Sequence, residues 1–442
     1  MKARWDGEYY DPVHLKIEEE LERVGCIELA NVAKDIRCGP FGSAIHKEDY
    51  RDSGVPLIRV ADTAGPFVKG DDLIFIDQKL ARELARHIVK PGDIVVSQRG
   101  TIAQFAMVTD EYEEWVTSAN LIAILRSRKA DFGYLLAFLN SHLGLSQMMR
   151  LQSGQVQPKI VTDDVKSVHV YLPSQEIQKS VGDLTREGYQ LFQRSKSLYA
   201  EAEALLLAEL GLDALDLSHQ PTYTQNASQV WAAGRLDSNY WGTEYTTLVS
   251  YLKTRPHSLL GDLADFANGA TPRGANYLAE GIPFLRIQNV GKNRLELGDV
   301  VYIDGATHNE LLKRSQLRPR DVLITITGRI GTSAVVPDDM LVGNINQHIV
   351  RMRLRGKETN SYYLAAFLNS KAGRLQTERE AYGTTREALP YYCLERVIVP
   401  EASEALQASI EAKIREAEET SNEAKRLLEE AKRRVEQMVL GG

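Results

Sequence analysis

Ser97-Gln98-Arg99-Gly100-Thr101 and Thr325-Ile326-Thr327-Gly328-Arg329-Ile330-Gly331 each close a strongly apolar run, and each sets hydrogen-bonding side chains beside a glycine. An arginine fork fits the two acceptors of a guanine edge, a glutamine fits the donor–acceptor pair of adenine, and a threonine hydroxyl serves either. Glycine allows the backbone to approach a phosphate closely. A solvated hairpin turn would use the same residue types, so both readings stand at this point. A second polar loop, Ser153–Lys159, carries Gln155, Gln157 and Lys159; its counterpart, Tyr382–Arg386, carries Thr384 and Arg386. A plain polar connector is the competing reading there. The candidate DNA-binding set is thus Gln98, Arg99, Thr101, Gln155, Gln157, Lys159, Thr325, Thr327, Arg329, Thr384 and Arg386. Asn346-Gln347-His348 opens a strand and reads as a hydrogen-bonded support of the fold.

Catalytic patterns are missing. The sequence has no GxxxxGK[ST] phosphate loop, no GxGxxG, no HExxH and no GxSxG elbow. The nine histidines form no pair at metal-binding spacing. No Asn-Pro-Pro-aromatic tetrapeptide is present, and the isolated acids Asp93 and Asp338-Asp339 lack a partner Glu-x-Lys. These observations describe a binder, with no catalytic residue, metal or cofactor expected on this chain. Aromatic and basic residues interleave weakly, which favours duplex over single-stranded partners.

The net charge of −7 argues against phosphate binding until it is distributed along the chain. Residues 29–172 hold 17 basic and 17 acidic side chains, and residues 259–400 hold 18 against 15. The acidity lies mostly in the terminal and connecting segments. Three unpaired cysteines exclude a disulfide framework. No window is apolar enough to span a bilayer, and Met1–Glu20 lacks the apolar stretch of a secretory signal. A cytoplasmic protein is expected.

The elements that must position these loops occur twice, offset by about 230 residues. Arg4–Tyr10 returns as Arg235–Trp241, and Gly54–Val60 returns as Gly281–Ile287. Pro91–Ser97 returns as Pro319–Thr325, and Ala137–Ser141 returns as Ala366–Ser370. Each copy has a helical lead-in, short β-rich runs broken by Gly and Pro, a helix, a last strand and a long helix. In the first long helix Ile177, Val181, Leu184, Gly188, Leu191, Ser195, Leu198, Ala202 and Leu205 alternate at spacings of four and three. Ile410, Ile414, Ala417, Ser421, Ala424, Leu428, Ala431, Val435 and Met438 do the same in the second. This is a coiled-coil seam, and its small residues predict close approach of the two helices.

Gly269-Ala270-Thr271-Pro272, Tyr277, Gly281–Val290, Thr327–Gly331 and Asn346-Gln347-His348 together resemble the DNA-specificity subunit of type I restriction–modification systems. Cys38–Ile45, Tyr50 and Gly54-Val55-Pro56 carry the resemblance into the first copy. It implies an α+β fold: two mixed α/β target recognition domains joined by two long helices in an antiparallel coiled-coil spacer, with an internal pseudo-two-fold repeat. The expected segments are 1–172 and 259–400 for recognition, 173–212 and 401–442 for the spacer helices, and 213–258 for the linker. The resemblance further implies a bipartite, asymmetric DNA site and two adenine methyltransferase subunits that carry the S-adenosylmethionine. Restriction subunits with motor and nuclease activity would join them. A Gln after the terminal Leu-Pro is present as Gln175 or Gln178, whereas the second copy has Glu401-Ala402-Ser403-Glu404, which leaves the second helix start open. A standalone tandem DNA-binding scaffold or regulator is the alternative.

Overall fold

Ile94-Val95-Val96 and Val322-Leu323-Ile324 have no polar member and are fully buried, as expected of strands covered on both faces. The computed structural model, which describes residues 7–70, 73–153, 158–272, 277–383 and 388–441, places each run at the centre of a sheet. Two compact units result, residues 1–193 with 421–442 and residues 194–420.

In the first unit, α1 (Pro12–Val24) precedes β1 (Ile27–Glu28), β2 (Asp35–Cys38), β3 (Val55–Ile58), β4 (Ile74–Ile76) and β5 (Ile88–Val89). Next come β6 (Ile94–Ser97), β7 (Phe105–Met107), β8 (Trp115–Thr117) and β9 (Leu121–Leu125). Helices α2 (Phe132–Asn140) and α3 (His142–Leu151), strand β10 (His169–Val170) and the long α4 (Gln175–Glu209), which runs on into the second unit after residue 193, follow. One sheet has the order β2-β9-β6-β7, all antiparallel, and a second has β4-β3-β8-β5, with β3 and β8 parallel. Ile94 and Val96 face the helix-side core with Phe138 and Leu139, while Val95 joins Ile58, Ala106 and Trp115 on the other side. β-Branched residues suit this doubly covered position.

The second unit repeats the plan. Helix α5 (Thr243–Lys253) precedes β11 (His257–Leu259), β12 (Ala264–Asn268), β13 (Ile282–Leu285), β14 (Val290–Gly291), β15 (Arg294–Leu295) and β16 (Val301–Ile303). Then come β17 (Val322–Thr325), β18 (Ser333–Val335), β19 (Asn344–Ile345), β20 (Ile349–Leu354), α6 (Ser361–Asn369), α7 (Lys371–Glu380), β21 (Ile398–Pro400) and α8 (Glu404–Leu440). The order β12-β20-β17-β18 answers β2-β9-β6-β7, and β16-β13-β19 answers β4-β3-β8, parallel pair included. Val322 and Ile324 again face the helices, and Leu323 the smaller cluster. In each unit an arginine clamps the lead-in: Arg150 lies 4.2 Å from the Tyr9 ring centroid and Arg379 lies 4.0 Å from that of Tyr240. Both also donate Nε to that tyrosine's carbonyl, at 2.9 and 3.0 Å.

The long helices pack antiparallel. In the first unit, a Cβ on Gly188 would meet Leu428 Cγ at 3.0 Å and Ala424 O at 3.3 Å, so the backbones approach closely there. In the second, Ser195 Oγ donates to Ala417 O at 2.8 Å and Lys413 Nζ reaches Glu201 at 2.7 Å. Val181, Leu198, Ala202, Ile410, Ile414, Ala417, Ala424, Ala431 and Val435 are buried as the heptads require. The seam differs from expectation at its start, where Ile177 is 42% exposed and Gln178 is buried. Gln178 accepts from Asp131 N at 3.1 Å and donates to Pro173 O at 2.8 Å, a cap that sets the helix phase. Gln407 makes the same pair of bonds, to Asn360 N and Ala402 O. The glutamine sought after the second Leu-Pro equivalent is therefore Gln407, displaced by two residues.

Gly188→Leu should destabilise the chain by about 1–3 kcal/mol through overpacking, seen as a lower Tm. Burial, opposed by Arg415 and reinforced by Glu419, Asp338 and Asp339, pushes the Glu418 carboxyl up to about 7. The folded carboxyl keeps its proton above its ordinary value of 4.5 while the unfolded one loses it, so stability falls as pH rises from there to about 7. Glu418→Gln should therefore stabilise by about 1–3 kcal/mol at about pH 8 and little at about pH 5. Equal shifts in Tm at both pH values would contradict this.

Candidate nucleic-acid interface

Each polar turn hangs from a buried hydroxyl at the end of its central strand. Ser97 Oγ donates to Thr101 O at 2.6 Å and accepts from Gln104 N at 3.0 Å. Thr325 Oγ1 donates to Arg329 O and accepts from Thr332 N at 3.2 Å. Ala103 N returns to Ser97 O at 3.2 Å, and Gly331 N to Thr325 O at 2.9 Å. Gly100 and Gly328 both have positive φ, 82° and 65°, a conformation that favours glycine. Position by position, then, 97–104 corresponds to 325–332. Thr325, expected to contact DNA, is fully buried with its hydroxyl committed; in this structure it positions the turn, as Ser97 does.

The second polar loop docks on the first in both units. Ser153 and Lys159 exchange backbone bonds at 2.9 and 2.8 Å, and Ile160 N donates to Gln98 O at 3.0 Å. Tyr382 and Ala388 exchange bonds at 3.0 and 2.9 Å, and Leu389 N donates to Ile326 O at 2.9 Å. Gln98, Arg99, Thr101 and Lys159 therefore share one platform, and Thr327 and Arg329 share the other with the ends of the 382–388 loop. Gln155, Gln157, Thr384 and Arg386 lie outside the described residues. Arg99, Lys159, Thr101 and Arg329 are exposed, and among the described residues Arg99, Lys159 and Arg329 have no carboxylate partner. Gln98 is tied down, its Nε2 donating to Ala119 O at 2.7 Å.

Two further parts of each platform carried the family resemblance in the sequence but were not among the candidate DNA-binding residues. Gly39 and Gly269 lie so close to the strand-opening segment that a Cβ would sit 2.0 Å from Ser118 O or Ile345 O. Two residues on, Phe41 is 89% exposed, and Thr271 donates its hydroxyl to Gln347 Oε1. Gln347 Nε2 lies 3.1 Å from His348 Nε2, and His348 Nδ1 lies 2.8 Å from Thr327 Oγ1. If Gln347 donates, the imidazole carries its proton on Nδ1 and donates to Thr327, leaving the Thr327 hydroxyl hydrogen for an outside acceptor. Asn346 is buried and accepts from His348 N at 3.1 Å, as its supporting role requires, but Gln347 and His348 belong to the surface. The signal was in the sequence: these residues precede β20 as Ser118-Ala119-Asn120 precede β9.

Hydroxyl, carboxamide and exposed guanidinium groups on glycine-bearing turns provide directional donors with little ionisable chemistry. Among the described residues no cluster of His, Cys, Asp or Glu could hold a metal ion, and no helix is long and apolar enough to cross a membrane. Thr325→Val should cost about 1–3 kcal/mol by leaving Arg329 O and Thr332 N without their partner. Urea unfolding reads this out, and an unchanged midpoint would remove the turn from the stability of β17.

Residues 36–184 match the family model described as the type I restriction modification DNA specificity domain. Among curated proteins none matches. The chain is similar to the S subunit of a type I restriction-modification system from M. genitalium, at 11% identity and TM-score 0.42, covering 94% of each chain. It is also similar to the HsdS subunit of Thermoanaerobacter tengcongensis, at 16% identity and TM-score 0.29, covering 94% of this chain and 95% of that one.

Proposed function

We propose, from the match of residues 36–184 to the type I restriction modification DNA specificity domain, that the whole chain reads a bipartite, asymmetric duplex site. Each repeat takes one half, and the chain carries out no chemistry itself. The observation that supports this reading is the platform built twice on one backbone scaffold with different side chains. Gln98, Arg99 and Thr101 occupy the places of Ile326, Thr327 and Arg329, and Lys159 that of Ala388. The guanidinium stands before the turn glycine in one copy and after it in the other. Equal scaffolds with unequal hydrogen-bonding faces suit unequal half-sites. In this reading the subunit works in the cytoplasm and binds no cofactor. Methyltransferase partners supply S-adenosylmethionine and the transfer step, and restriction subunits supply translocation and cleavage.

The test is a methylome made with the intact complex. Arg99→Ala should relax one half of the target, and Arg329→Ala only the other, each by about 1–3 kcal/mol of base discrimination. Uniform weakening over all sequences, with a smaller salt dependence, would assign these arginines to phosphates. Loss of both halves from either substitution would contradict one platform per half-site.

A further inference from the structure

Phe41 is the most exposed large apolar side chain among the described residues, at 89%. Its neighbours nevertheless fix its place. Gly39 N donates to Leu121 O at 2.8 Å, a Cβ on Gly39 would sit 2.0 Å from Ser118 O, and Pro40 is buried. After the ring, Ala44 N returns to Phe41 O at 2.8 Å, and Ala44 and Ile45 pack on the small core of Val55, Leu57 and Val116. Buried contacts therefore anchor the loop on both sides of a ring that is itself almost wholly exposed. The segment that holds Gly39 also holds the polar turn: Gln98 N donates to Asn120 O at 3.0 Å and Gln98 Nε2 to Ala119 O at 2.7 Å. Residues 118–121 thus tie the Phe41 loop to the platform of Arg99 and Lys159. The corresponding place on the second platform carries Thr271, whose hydroxyl donates to Gln347.

We propose that Phe41 reads a thymine, through its C5-methyl group, in the half-site taken by the first unit. This rests on the reading of that platform as a surface for duplex DNA. In the major groove every base pair offers hydrogen-bonding groups, but the thymine methyl is the one apolar group on the base edges. It lies in the same groove as the guanine acceptors that suit Arg99. A phenylalanine ring donates no hydrogen bond to a phosphate or a polar base edge. Against a methyl it removes apolar surface from water on both sides of the contact. Insertion between base pairs would first cost the unstacking of a step, which an edge contact avoids. The second platform presents a hydroxyl at this place, already held in a hydrogen bond, so the ring serves one half-site only.

The target is first read from the methylome of the intact complex, and the half-site relaxed by Arg99→Ala is taken as that of the first unit. Duplexes with each thymine of that half-site replaced in turn by deoxyuridine, which lacks only the methyl, then compete for complexes holding the wild-type or the Phe41→Ala chain. One position should weaken wild-type binding about fourfold, the worth of one buried methyl. Phe41→Ala should bind the thymine duplex at least as weakly and no longer respond to deoxyuridine there. Its Tm should stay that of the wild type, because the ring lies outside the core. A half-site without thymine, a wild type that tolerates deoxyuridine at every position, or a deoxyuridine effect that persists in Phe41→Ala would each overturn the proposal. If Arg99→Ala relaxes one half and the deoxyuridine series is flat, this inference fails alone. If Arg99→Ala relaxes neither half, the DNA reading of the platform fails and takes this inference with it.

Discussion

The strands β6 and β17 are buried on both faces, so each must shed its last polar group into a hydrogen bond before the chain reaches solvent. Ser97 and Thr325 do this, each pinning the carbonyl and amide of the turn it begins. The side chains between those anchors have no inward course left. Their exposure follows from core packing, which is why a rigid scaffold can present a small variable set of donors and acceptors. Docking of the second loop onto Gln98 or Ile326 then fixes two segments of very different sequence position on one surface.

Duplication separates what the scaffold needs from what it presents. Positions that hold the turns keep their chemistry between copies: Ser97 with Thr325, Gly100 with Gly328, Gly39 with Gly269. Positions that face outward change type: Phe41 against Thr271, Ala119 against Gln347, Arg99 against Thr327. Backbone hydrogen bonds tolerate such exchange because they do not depend on the side chain, whereas a Cβ at Gly39 or Gly269 would collide with a carbonyl. A second recognition face could therefore arise without rebuilding a core.

The repeat, the apolar strands and the helix seam were legible because burial imposes periodicity on sequence. What escaped depends on contacts between distant segments. Gln178 could not be read as a buried cap at the expense of Ile177, since its partners, Asp131 N and Pro173 O, come from a loop and a strand end. Its equivalent, Gln407, was hidden by a two-residue displacement. Thr325 looked like a surface hydroxyl because composition does not report which of Thr325 and Thr327 turns inward. Gln347 and His348 looked like fold support because their strand-opening position was visible, while their bonds to Thr271 and Thr327 were not.

The acidic net charge ceases to oppose anion binding once pairing is considered. Arg186, Arg353, Arg355, Arg415, Arg426 and Arg433 each lie within 3.0 Å of a carboxylate oxygen, so their fields largely cancel at the range of a Debye length. Among the described residues Arg99, Lys159 and Arg329 have no such neighbour, and all three are exposed on the platforms. Acidic side chains outnumber basic ones nine to seven along α8 and four to two along α1, whereas these three cations add positive charge locally on the platforms. A negative total therefore coexists with locally positive platforms, because the reach of each charge is set by its neighbours and not by the sum over the chain.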